Sequence, residues 1–122
     1  MTQEEQIQYL ANIYHVARAD GRVEVIEDSV TEVMAQGIGA GYLETRNALD
    51  LSAQKDFQVT FPPRLSERIR NLEDMLLVAY SDKELHNMEK KIIIDFAKQI
   101  GITQQQVTTI QKEAKTRLQN KN

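Results

Sequence analysis

One short motif occurs twice in the chain, and this duplication constrains the fold more than any other feature of the sequence. ARADGRVEVIED at residues 17–28 returns as AYSDKELHNMEK at residues 79–90. Each copy carries an acidic loop that interrupts a helical pattern of apolar residues. Asp82 follows Asp20 by 62 positions, which sets the offset between the copies. The sequence therefore indicates two copies of one helix–loop–helix unit.

The duplication extends without a gap on both sides of the motif. It runs from Ile7, which aligns with Ile69, to Gly39, which aligns with Gly101. The acidic and small residues that also align are Asp20 with Asp82, Glu27 with Glu89, and Ala35 with Ala97. Shared helical periodicity would align apolar residues but not these, so an internal duplication is the better explanation.

This pattern predicts an all-α fold. Apolar residues at helical spacing indicate three helices in each copy, and such a unit leaves an apolar face to bury against its partner. The expected architecture is a compact six-helix bundle made of two three-helix repeats related by a pseudo-twofold axis. A single domain would span residues 1–122, with repeat one at 1–51, a linker at 52–63 and repeat two at 64–122.

Capping residues predict where several helices begin. Thr2 with Glu5, and Thr103 with Gln106, have the spacing of capping boxes, in which each side chain bonds the other residue's backbone. A shorter third helix is predicted at residues 42–51. The residues that it should bury are Leu43 and some of Ala48, Leu49 and Leu51.

The linker differs in character from the helices. Phe57, Val59 and Phe61 alternate with polar residues, which is a strand-type period over a very short span. Because one isolated strand cannot form a sheet, we expect an extended segment that lays its aromatic side chains onto the core. Pro62-Pro63 ends it and can enter the first turn of the next helix.

Composition excludes several classes of function. A formal net charge of −3 and a pI near 5.4 disfavour a sequence-independent nucleic-acid binder. The chain has no cysteine, so disulfides, thiol catalysis and cysteine-ligated metal sites are excluded. The polar start MTQEEQIQ lacks a signal-peptide pattern, and the longest apolar runs are too short to span a bilayer. We therefore expect a cytoplasmic protein.

The acidic loops have two interpretations, of which we prefer the first, a structural one. Glu27 and Glu89 fall at the third position of the following helix, where a carboxylate binds free N–H groups and suits the helix dipole. Asp20 and Asp82 would accept hydrogen bonds within their own tight loops. A complete calcium EF-hand is rejected, because the first half of each loop lacks the oxygen ligands that this site needs.

In the second interpretation, the two loops meet about the pseudo-twofold axis and share a divalent cation. The candidate metal ligands are Asp20, Glu27, Asp82 and Glu89. Clustered carboxylates favour hard cations such as Mg²⁺, Ca²⁺ or Mn²⁺. Glu24 could add a carboxylate, and His86, which aligns with it, could add a nitrogen ligand and shift the preference toward Zn²⁺. The other histidine, His15, is expected to be half-buried or on a helix surface rather than to act as a ligand.

The segments VARADGRVEVIE and VAYSDKELHNMEKKIIIDFAKQIGI resemble the TerB-like family, a tellurite-resistance-associated helical domain also found in some DnaJ-type co-chaperones. Both carry the family's spacing of alanine, acidic loop, apolar residue and glutamate, and a helix that ends in an apolar–glycine pair follows. The resemblance covers most of the chain apart from the linker. It implies an all-helical fold, an acidic cluster suspected of binding metal, and a role in stress response, often alongside membrane-associated partners.

The family's acidic cluster would map onto Asp20, Glu27, Asp82 and Glu89. The second loop departs from the family pattern at Lys83, where glycine is usual.

Three classes of function follow from these features. The first, which we favour, is a non-catalytic binding or scaffold module with protein partners, including membrane-associated ones, and without membrane insertion. The second is a metal-dependent hydrolase-like enzyme, although the sequence has no Gly-rich phosphate loop and no Ser/His/Asp arrangement. The third is nucleic-acid binding through the basic last helix, which is more simply a solvated face. Self-association through the linker aromatics, Tyr9 or Tyr42 is left open.

Overall fold

Helices make up all the regular secondary structure in the part of the chain that the structure describes. The computed structural model describes residues 1–19, 29–79 and 87–119, which form six helices and no β-strand. The helices are α1 (Gln3–Arg18), α2 (Ser29–Gly37), α3 (Tyr42–Ser52), α4 (Leu65–Ala79), α5 (Asn87–Gln99) and α6 (Gln104–Gln119). The predicted all-α, six-helix fold is confirmed. Within these ranges, no helix combines the length and the apolar character needed to cross a membrane.

Capping boxes start α1 and α6, as predicted. The backbone N–H of Glu5 donates to Thr2 Oγ1 at 3.1 Å, and the backbone N–H of Thr2 donates to Glu5 Oε1 at 2.6 Å. The bond from the Thr2 backbone is the main reason that the pKa of Glu5 is lowered. At the start of α6, Gln106 N–H donates to Thr103 Oγ1 at 3.2 Å, and Thr103 N–H donates to Gln106 Oε1 at 2.8 Å.

The turns that follow α2 and α5 have the same geometry. Gly39 and Gly101, which are 62 positions apart, take left-handed backbone conformations with φ of 77° and 81°. Glycine adopts this conformation without strain, which suits the residue just beyond a helix end. The closing backbone bonds are Ala40 N–H to Ala35 O at 2.9 Å and Ile102 N–H to Ala97 O at 2.8 Å. A duplication would leave such equivalent turns; the pseudo-twofold axis and the division into two repeats stay predictions.

α1 and α4 form the centre of the structure. Nearly every side chain from Tyr9 to Ala17 on α1 is buried, as is nearly every side chain from Asn71 to Ala79 on α4. The two helices pack on each other; α1 also packs on α3 and α5, and α4 also packs on α2, α5 and α6. Burial on this scale excludes water from the middle of both helices, which is the main source of their stability.

A buried polar cluster, made of Tyr9, Asn12, Asn71 and Asp74, lies where α1 meets α4. Each of these residues is at most 4% exposed. The Tyr9 hydroxyl donates to Asp74 Oδ2 at 2.5 Å, and Asn12 Nδ2 donates to Asn71 Oδ1 at 2.8 Å. Asn71 Nδ2 donates to the Tyr9 carbonyl oxygen at 3.2 Å. Because buried polar groups are costly unless they are bonded, these contacts fix the position of α1 on α4.

The linker lies along α1 and runs in the opposite direction. The Phe57 ring packs on the His15 ring, with centroids 5.1 Å apart. One turn back along α1, Asn12 Nδ2 donates to the Thr60 carbonyl at 2.7 Å, and Asn12 Oδ1 accepts from the Thr60 N–H at 3.2 Å. The linker is therefore extended and bonded to a side chain, rather than paired with a strand, and its aromatic residues pack on the core as expected.

The end of the linker contacts both α5 and the first turn of α4. The Phe61 ring packs on the Phe96 ring of α5 at a centroid distance of 5.0 Å. α4 begins at Leu65, so the two prolines precede the helix and do not enter its first turn. The Arg68 side chain stabilises this entry, because its Nε donates to the Pro62 carbonyl oxygen at 2.6 Å.

α3 packs along α1 through small side chains. Ala48 and Ser52 are buried, and Arg18 Nε donates to Ser52 Oγ at 3.0 Å. The expected burial of Leu43 is wrong, since this residue is 58% exposed. Leu43 lies about 140° around α3 from the buried Ala48. It therefore points away from the face of α3 that packs on α1.

Removal of the Tyr9 hydroxyl should destabilise the protein. Tyr9→Phe takes a hydrogen-bond partner from the buried Asp74 carboxyl, and loss of one partner of a buried polar group costs about 2 kcal/mol. We expect the free energy of unfolding, measured by urea denaturation, to fall by about this amount. Tyr14→Phe is the matched control, because Tyr14 is equally buried but its hydroxyl lies by the partly exposed Thr45 side chain. This control should lose about 1 kcal/mol, and equal losses would contradict the special role of the Tyr9–Asp74 bond.

A fall in pH should lower the free energy of unfolding through protonation of His15. Burial lowers the pKa of its imidazole below the ordinary value of 6.5. The unfolded chain therefore takes up the proton more readily than the folded protein does. The contribution of His15 to stability is complete above about pH 6.5 and is lost as the pH falls from there through the folded-state pKa.

His15→Gln isolates this effect. Between about pH 7 and pH 5, the free energy of unfolding of the variant should fall less than that of the parent protein. The Glu5 and Glu44 carboxyls, whose pKa values are lowered from 4.5, titrate below this window. Tyr14→Phe adds or removes no group that titrates here and should keep the parent's pH dependence. An unchanged pH dependence in His15→Gln would refute the assignment.

Candidate functional site

The predicted metal site lies almost entirely outside the described residues. The candidate ligands and neighbours that fall there are Asp20, Glu24, Glu27, Asp82 and His86. Glu89 belongs to α5, but its side chain is also outside what the structure describes. The proposed sharing of one cation by the two acidic loops therefore stays a hypothesis.

Elsewhere in the described ranges, no three or more side chains of His, Asp or Glu come together in a way that could hold a metal ion. His15 is half-buried, as expected, and its ring packs on Phe57 instead of standing among acidic residues. Burial, which lowers the pKa of His15, leaves its imidazole uncharged at neutral pH.

Two large apolar side chains are exposed at the start of α3, and we call Tyr42 and Leu43 the apolar corner. Tyr42 is 84% exposed and Leu43 is 58% exposed. At the offset of the duplication, the start of α6 carries Gln104 and Gln105, which are exposed as well. The start of α3 thus presents apolar side chains, whereas the aligned start of α6 presents amides. Tyr9, another residue considered for self-association, is buried in the core.

The backbone beneath the apolar corner is held in place by Glu44. Its Oε1 accepts from the Gly41 N–H at 2.9 Å, and its Oε2 accepts from Gln3 Nε2 of α1 at 3.2 Å. The bond from the Gly41 backbone is the main cause of the lowered pKa of Glu44. The first turn of α3 is therefore tied to α1, and the exposed side chains project from a fixed support.

A second surface feature is a cavity between α1, the linker and α5, which we call the linker pocket. Its volume is about 450 Å³. The apolar part is formed by Phe61, Phe96, Val59 and Ile92. The polar part is formed by His15, Gln58, Asp95 and Gln99. The volume of the linker pocket falls within the range of sites for small organic ligands.

The buried polar cluster and the linker pocket were both missed from the sequence. At the duplication offset, Tyr9 aligns with Asn71 and Asn12 aligns with Asp74. The Tyr9–Asp74 and Asn71–Asn12 contacts therefore join positions that correspond at the offset of 62. Polar residues within the apolar stripes of α1 and α4 are the signal that could have identified the cluster. Its members bond one another away from solvent, so its role is to position helices.

Comparison with known protein families gives one match. The family model described as tellurite resistance protein TerB matches residues 51–112, just over half of the chain. The matched region contains the linker, α4, α5 and the second copy of the acidic loop, whereas the first copy, at residues 17–28, precedes it. No curated protein and no solved structure matched the chain. The extent of this match, on an all-helical structure, establishes that the chain belongs to the TerB family.

Proposed function

We propose that the protein is a non-catalytic binding module with a stress-response role, which docks a protein partner in the cytoplasm through the apolar corner. The observation that carries this proposal is the exposure of Tyr42 and Leu43 at a helix start whose counterpart is polar. Its TerB-family membership connects the module with tellurite resistance by family name.

The apolar corner has the properties of an interface centre. Tyrosine is enriched at protein interfaces, because its ring buries a large area while few side-chain rotations are lost. Glu44 already holds the backbone of the first turn of α3, so little further ordering is needed when a partner binds. Burial of Tyr42 and Leu43 against a partner would remove their apolar surface from water and so favour association.

The partner that fits is a polypeptide with an apolar groove and a carboxylate at its edge. Arg46 is exposed one turn along α3 from Tyr42. No carboxylate in the described part of the chain forms an ion pair with its guanidinium. A carboxylate of the partner could bond this guanidinium at the rim, which favours the correct orientation more than it adds affinity.

Replacement of the apolar corner should weaken partner binding strongly without unfolding the protein. Tyr42→Gln with Leu43→Gln installs the side chains that the start of α6 already carries. We expect quantitative affinity capture from the native host to identify a polypeptide that this variant loses. With that polypeptide purified, calorimetry should show an affinity at least tenfold weaker, as expected when a central aromatic anchor is removed.

The matched control changes the equivalent exposed positions, Gln104→Ala with Gln105→Ala, and should retain full affinity. Sedimentation of the purified chain then separates a second copy from a different partner. Concentration-dependent dimers that the corner variant loses would identify the partner as the chain itself. Equal capture by the parent, the corner variant and the control would contradict docking at the apolar corner.

We further propose that the two acidic loops bind a divalent cation, with Asp20, Glu27, Asp82 and Glu89 as ligands. The support is the carboxylate chemistry of two aligned loops, which suits Mg²⁺, Ca²⁺ or Mn²⁺. A nitrogen from His86 would favour Zn²⁺ instead. The cation would stabilise the helix–loop–helix corners and so couple ion binding to the module's surface.

A cation that binds should raise the melting temperature when it is added to chelator-treated protein. At about a hundred times the dissociation constant, the rise should be about 10 °C. Amide chemical shifts should change in both loops, and the paired variant Asp20→Asn with Asp82→Asn should remove both effects. Asp50→Asn with Asp56→Asn, which makes the same change of net charge at two exposed positions of α3 and the linker, is the control. A response in one loop alone would exclude a shared cation.

A further inference from the structure

We infer that the linker pocket binds a small organic cation with an aromatic or other apolar body. The pocket lies between α1, the linker and α5, and its lining includes neither residue of the apolar corner. The inference therefore goes beyond the proposed docking of a protein partner and stands independently of it.

The apolar part of the pocket favours a flat, water-avoiding body. The rings of Phe61 and Phe96 are 5.0 Å apart and tilted by 40°. Phe96 is buried, whereas Phe61 and Ile92 are partly exposed and present apolar surface to the pocket. An aromatic ligand packed against Phe61 would bury this surface and gain ring contacts in the offset geometries that aromatic pairs prefer.

The charge of the pocket favours a cation. Asp95 is exposed on α5 and lines the pocket. Within the described chain its carboxylate forms no ion pair with Lys91 or Lys98, which stand about one turn away on either side. His15, the other titratable lining group, is uncharged at neutral pH, because burial lowers its pKa. Asp95 thus gives the pocket a net negative charge.

The remaining polar groups can complete the binding of an ammonium group. Gln58 of the linker and Gln99 of α5 are exposed and line the same cavity as Asp95. Each amide oxygen can accept a hydrogen bond from an N–H donor. A primary ammonium has three such donors, which matches one carboxylate and two amides. The cavity of about 450 Å³ is large enough for a bicyclic ring with a short aminoalkyl chain.

Tryptamine tests this inference directly, since it joins an indole ring to a primary ammonium. Titration into labelled protein, followed by amide and methyl chemical shifts, should perturb residues of the linker and α5 that line the pocket. Asp95→Asn should weaken binding about fivefold, the effect of one partly exposed ion pair. Indolepropionate, with the same ring and a carboxylate, should bind at least tenfold more weakly than tryptamine, since Asp95 would repel it.

Two controls separate the pocket from general charge effects. Asp50→Asn makes the same change of net charge on α3 and should leave tryptamine affinity unchanged. Val59→Thr keeps the shape of the pocket wall but places a hydroxyl in it, and should weaken both ligands without changing their ratio. Equal binding of tryptamine and indolepropionate, equal effects of Asp95→Asn and Asp50→Asn, or shifts confined to other surfaces would each overturn the inference.

Discussion

The arrangement of the central helices depends on one buried amide. Asn12 is fully buried on α1, and its side chain makes three hydrogen bonds, one to Asn71 of α4 and two to the Thr60 backbone of the linker. A buried amide left without partners would be strongly unfavourable. An arrangement that moved α4 or the linker along α1 would break these bonds at once. Apolar packing tolerates small shifts, so the amide, more than the surrounding leucines, specifies how three segments fit together.

The polar contacts between α1 and α4 form a related pair with different chemistry. The Tyr9–Asp74 contact corresponds to the Asn71–Asn12 contact when positions are exchanged at the offset of 62. The chain has one linker, however, and it lies along α1. Asn12 therefore needs both donors and an acceptor, which an amide has and a carboxylate lacks. Asp74 accepts a hydrogen bond from Tyr9 at the corresponding place. Positions aligned at this offset carry different side chains, and their surroundings differ as well.

Local signals in the sequence predicted the parts of the fold that local chemistry determines. The capping boxes at Thr2 and Thr103, and the helix stop before Gly101, depend on groups only a few residues apart. Tertiary contacts determine the rest. Helical periodicity assigned Leu43 to the core, but the packing of α3 on α1 uses a face that excludes it. The linker pocket combines residues of three segments, and no single stretch of sequence reveals such a site. Alignment of the two halves of the sequence identifies the acidic loops, but it does not give the distance between them.

Positions aligned at the offset of 62 also differ on the surface of the protein. Val33 is 49% exposed on α2, and its counterpart on α5 is the exposed Asp95 of the linker pocket. Tyr42 is exposed on α3, and its counterpart on α6 is Gln104. Exposed positions contribute little to folding, so such exchanges alter what a surface binds while the buried scaffold is retained. The linker occurs once, and with it the pocket whose wall it forms. The two surfaces thus differ in chemistry while they share one buried scaffold, because the apolar corner lies on α3 and the acidic linker pocket lies beside α5.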